Sequence, residues 1–127
     1  PLAREVLIAG LQDEDLDVRI TCCGRLGGRS DESVVSALQN VLERDELLDV
    51  RLAAIDALGR IPSTESVAAL AIALRDRDPA MQYAAVQALK AVSGQDLGND
   101  VAAWRTYAES EQPEISVASK NKSWSPF

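Results

Sequence analysis

"LDVRLAAIDALGR", residues 48–60, decides the fold, because the chain writes it more than once. "LDVRITCCGRLGG" at 16–28 aligns with it without a gap at an offset of 32. Leu16, Asp17, Val18, Arg19, Leu26 and Gly27 recur as Leu48, Asp49, Val50, Arg51, Leu58 and Gly59. A third copy, "PAMQYAAVQALKA" at 79–91, follows at an offset of 31 and keeps the apolar pattern through Ala84, Ala85, Val86 and Leu89. A fixed period of this size is the signature of a repeat architecture.

The intervening segments repeat as well. "SVVSALQNVL" (33–42) aligns with "ESVAALAIAL" (65–74), matching Val35 to Val67, Leu38 to Leu70 and Leu42 to Leu74. The opening "LAREVLIAGL" (2–11) fits the same template through Leu7 and Leu11, so the chain starts partway through a unit. Val18, Cys22, Leu26 and Val50, Ala54, Leu58 are spaced by four, and Val35, Leu38, Leu42 by three and then four, which are helical periods. Ser30 and Ser63 are candidate caps of the second helices, and Asp78-Pro79 is an N-cap followed by proline at the first helical position. Gly27, Gly28 and Gly59 suit the ends of the first helices. The reading is an all-α superhelix: a right-handed solenoid of helical hairpins, with about three repeats and a C-terminal capping helix.

Composition agrees with this and narrows function. The 127 residues suffice for one domain with a core, and four of the five aromatics lie after residue 103, so aliphatics and alanine must fill the body. A net charge of −7 argues against nucleic acid, whose phosphates need a basic face, and against an acidic membrane surface. No stretch approaches a transmembrane span. The chain begins at Pro1 rather than methionine, which leaves the compartment open, with the cytoplasm slightly favoured. Histidine is absent, which removes Ser-His-Asp and Cys-His catalysis and most zinc and non-haem iron sites.

The motif D-V-R-x-x-A-A-x-A-L-G, complete at 49–59, is followed by E-x-V-x-x-L-x-x-A-L at 65–74 and "DRDPAMQYAAVQAL" at 76–89. Together they resemble the bacterial HEAT repeats often called phycobilisome-lyase-like, over about residues 2–92. The resemblance implies a non-enzymatic interaction scaffold that presents a concave surface of second helices to a protein partner. A subunit of a bilin lyase-like complex is the alternative that it implies. "SGQDLGNDVAAWRTYAES" (93–110) resembles the closing segment of such proteins, with a helix near 100–109 whose Trp104 and Tyr107 cover the last repeat. Residues 111–127, "EQPEISVASKNKSWSPF", read as a polar tail after a domain ending at 110, with no role assigned to Trp124 and Phe127.

No residue earns a catalytic, cofactor or metal assignment. Cys22 and Cys23 align with Ala54 and Ile55, which are core positions, and adjacent helical side chains diverge by about 100°, so the pair reads as packing. Acidic runs at 13–17, 44–49 and 75–78 read as solvated turns. Asp17, Arg19, Asp49 and Arg51 read as a structural ladder between repeats, with Arg51 expected to pair with Asp17. The candidate protein-binding strip, placed on the concave side by the resemblance, comprises Ile8, Gln12, Ser36, Gln39, Asn40, Glu43, Ala68, Ile72 and Arg75. With an incomplete first unit, the uncovered end of the solenoid is a candidate for self-association.

Overall fold

The structure, a computed structural model, describes residues 3–110 and Ile115. Among these residues the chain forms seven helices: α1 (Arg4–Gly10), α2 (Leu16–Leu26), α3 (Glu32–Arg44), α4 (Leu48–Leu58), α5 (Thr64–Leu74), α6 (Pro79–Ser93) and α7 (Val101–Glu109). They stack as two rows. The repeats of the "LDVR" type, α2, α4 and α6, pack successively on one another, while α1, α3, α5 and α7 form the second row. Hairpin pairs α1–α2, α3–α4 and α5–α6 join the rows, which is an α-α solenoid. None of the described helices is long and apolar enough to cross a membrane.

Local chemistry sets the helix boundaries. Asp15, Ser63, Asp78 and Asp100 cap α2, α5, α6 and α7 through side-chain oxygens that accept backbone N–H groups of the first turn, and Pro79 stands in the first turn of α6. Gly27 and Gly59 close α2 and α4. Ser30 does not cap α3. Its N-cap is the next residue, Asp31, which makes no side-chain cap bond.

The core runs the length of the stack between the rows. Leu7, Leu11, Leu26, Val35, Leu38, Leu42, Val50, Leu58, Val67, Leu70 and Leu74 are all buried, as their spacing predicts. α5 is buried around most of its circumference, because it has neighbours on both sides in its own row and a hairpin partner across from it. Val18 is the exception. It is 37% exposed, whereas its counterparts Val50 and Met81 are both 0% exposed. The cause is position: α4 and α6 each receive the preceding helix of their row on that face, and among the described residues nothing covers it on α2. Ile115 is buried in the core, so that core extends beyond the boundary read at residue 110. Leu2, Trp124 and Phe127 lie outside the described residues.

Candidate functional site

The vicinal cysteines are packing. Both are free thiols and buried, Cys23 completely. Burial pushes the Cys23 thiol up to about 12, and burial also raises Cys22, so neither is a thiolate near neutral pH. Gly10 explains how α1 fits over Cys22: a β-carbon there would lie 2.3 Å from Cys22 Sγ, so only glycine allows this approach. Ellman's reagent at pH 8 is therefore expected to label Cys23 only when the chain unfolds. Rapid labelling of a folded Cys22→Ala variant would contradict the assignment.

The arginines do link successive units, but through carboxylates other than the expected ones. Arg19 Nε donates to Asp45 Oδ2 at 2.9 Å, and Arg51 Nη2 donates to Asp76 Oδ2 at 2.7 Å. Each arginine thus reaches forward to the next turn, and Arg51 does not pair backward with Asp17. Asp17 and Asp49 lie in the exposed first turns of α2 and α4, where they complement the helix dipole and make no ion pair among the described residues. Asp45 and Asp76 are aimed by their own turns. In each, Oδ1 accepts the N–H two residues ahead, Leu47 at 3.0 Å and Asp78 at 2.8 Å, leaving Oδ2 for the arginine. The same arginines also tie down carbonyls within their own units: Arg19 Nη1 donates to Asp13 O at 2.7 Å, and Arg51 Nε donates to Leu42 O at 2.7 Å.

The ladder stops where its chemistry runs out. Gln82 replaces the arginine in the third unit and keeps only the local bond, Nε2 donating to Asp76 O at 2.6 Å. From there α7 supplies the ties. Arg105 Nη2 donates to Leu74 O, and Glu109 pairs with Arg75. Asp45, Asp76 and Arg105 escaped the sequence reading. The first two had a visible signal, since Asp13, Asp45 and Asp76 recur at the same offsets of 32 and 31 as the helices they precede.

Trp104 is fully buried on the helix that packs against α5 and α6, and its indole N–H donates to Gly98 O at 2.8 Å. Tyr107 meets it edge-on, ring centroids 5.6 Å apart at 83°.

The strip residues share the row α1, α3 and α5. Gln12, Ser36, Asn40, Glu43, Ala68 and Arg75 are exposed, while Ile8, Gln39 and Ile72 are half-buried. Ala71, between Ala68 and Ile72, is buried and contributes to the core instead. Gln39 Nε2 donates to Glu43 Oε1 at 3.0 Å. A shallow hollow of about 240 Å³ is lined by Ser36, Gln39, Asn40, Glu43 and Arg44. Asn40 and Arg44 also line a larger groove of about 490 Å³ beside the turns at Asp13 and Asp45. The lining is amide, hydroxyl and charge, suited to hydrogen-bonding a peptide surface.

Two parallel rows of helices, stacked by a repeated sequence and tied by a repeated ion pair, define the helical-repeat class of solenoid. The profile of HEAT repeats matches residues 4–90 and 37–104, and the chain belongs to that family. HEAT repeats commonly mediate protein–protein interactions. No curated protein matches the chain at a significant level.

Proposed function

We propose that this chain is a non-enzymatic scaffold that binds a protein partner along the solvent-facing side of α1, α3 and α5, the side the resemblance makes concave. The observation that carries the reading is the polar hollow from Ser36 to Arg44, in the same row as the half-buried Ile8 and Ile72. Small exposed positions such as Ala68 leave backbone-close surface, and the amides of Gln39 and Asn40 offer donors and acceptors without a charge to desolvate. These residues recur at one place in each unit, so one elongated partner could contact several of them at once.

The test is affinity capture from the native organism with paired surface variants. Asn40→Arg combined with Ala68→Arg is expected to lose the captured partner while the melting temperature stays within about 2 °C, since both side chains are exposed. Tyr83→Ala, on the other row, is the control and is expected to retain it. Equal capture by all three proteins would sink the proposal.

A further inference from the structure

The face of α2 left open at the start of the stack carries a stripe of Asp17, Val18, Thr21, Cys22 and Arg25, one helical turn after another. With Leu7 these residues line a groove of about 320 Å³ that is almost wholly apolar between its two charged ends. On α1, Val6 is 56% exposed where its counterparts Ala37 and Ala69 are half-buried and fully buried.

This stripe differs from those that receive a neighbouring helix. The covered stripes read Val50, Ala53, Ala54, Ala57 on α4 and Met81, Ala84, Ala85, Ala88 on α6. Their alanines permit close approach: a β-carbon on Gly59 would come within 2.9 Å of that of Ala88. Thr21 and Arg25 stand at two of those alanine positions on α2. A further unit stacked as α2 stacks on α4 would meet the Arg25 guanidinium where the covered stripes carry Ala57 and Ala88.

What the stripe does complement is itself. Asp17 and Arg25 are exposed, and neither makes an ion pair among the described residues. Eight residues of helix hold them about 12 Å apart, too far to pair with each other. Thr21 lies midway. We infer that two copies of this chain associate across a two-fold axis beside Thr21, α2 against α2 in antiparallel fashion. Asp17 of each copy then meets Arg25 of the other, and the exposed Val18 is covered. A two-fold contact is self-complementary by construction, and a stripe with opposite charges at equal distances from an apolar centre has that property.

Analytical ultracentrifugation of the whole chain from low micromolar to near-millimolar concentration tests this. The wild-type mass is expected to rise from 13.7 kDa toward twice that value, less so at high salt. Arg25→Glu and Asp17→Arg, each replacing one charge of two symmetric pairs by its opposite, are each expected to weaken association by about tenfold or more. An equimolar mixture of the two variants is expected to regain it, because every introduced charge then faces its opposite. Circular dichroism confirms that the variants fold. A wild type monomeric throughout, undiminished association in either variant, a mixture that stays monomeric, or assembly beyond a dimer would each overturn the inference.

Discussion

Trp104→Ala is expected to destabilise the chain by about 3–5 kcal/mol, lowering the thermal midpoint by roughly 10–20 °C. The indole is the largest fully buried side chain among the described residues, and it sits on α7, which covers one side of α5 and part of α6. Removing it opens a cavity, strands the Gly98 carbonyl that accepts its N–H at 2.8 Å, and deletes the edge-on contact with Tyr107. Because a solenoid is stabilised by nearest-neighbour interfaces, the damage begins locally. Backbone amides of α7 are expected to lose hydrogen-exchange protection first, followed by those of α5 and α6, while α2 retains most of its own. Trp104→Phe separates the contributions. It keeps the ring in the core and gives up the N–H, so a cost of about 1–2 kcal/mol is expected. An alanine variant that melts with wild type would show that α7 is peripheral to the fold.

Trp104 also illustrates what could be read without coordinates. Its helix was legible from the breaking Gly94 and Gly98, from Asn99 or Asp100 as its cap, and from the apolar spacing of Val101, Trp104 and Ala108. The repeat was legible for the same kind of reason: a side chain that must face a core recurs wherever the backbone geometry recurs, so Val50, Ala54 and Leu58 announce the same surface as Met81, Ala85 and Leu89. Alignment also resolved Cys22 and Cys23, since a position filled by alanine and isoleucine elsewhere cannot need a thiol. Two kinds of feature were less legible. An uncovered end follows from the incomplete first unit, but which side chain it exposes does not, since Val18 carries the same letter as Val50 in the opposite environment. Partner choice among like charges depends on where a turn aims an oxygen. Asp17 and Asp45 are equally acidic in the sequence, yet only Asp45 has a turn that presents Oδ2 to the preceding unit's arginine.

Arg51→Met is the substitution with the next largest effect, about 2–3 kcal/mol at neutral pH. Arg51 serves two acceptors from different units, Leu42 O at 2.7 Å and Asp76 Oδ2 at 2.7 Å, and both side chains of the ion pair are largely shielded from solvent. Methionine keeps much of the apolar stem but leaves the carboxylate with only its own turn as partner. The loss carries a pH signature that a simple packing defect lacks. The backbone N–H of Asp78, and then the Arg51 guanidinium, hold the Asp76 carboxyl below its usual range against the opposing effect of burial. A carboxyl that is more acidic folded than unfolded adds stability above its unfolded value, near pH 4, and that contribution disappears as pH falls through the folded value. The gap between wild type and Arg51→Met is therefore expected to be full at pH 6–7 and to shrink steadily below about pH 4, as protonation removes the charge that Arg51 serves. Asp76→Asn should reproduce the neutral-pH loss from the other side of the pair, and adding it to Arg51→Met should cost much less than the sum of the two. Denaturant unfolding of the four proteins at several pH values measures all of this. A gap that stays constant with pH, or single effects that simply add, would show that Arg51 stabilises the stack by packing and by its bond to Leu42 rather than by joining successive repeats.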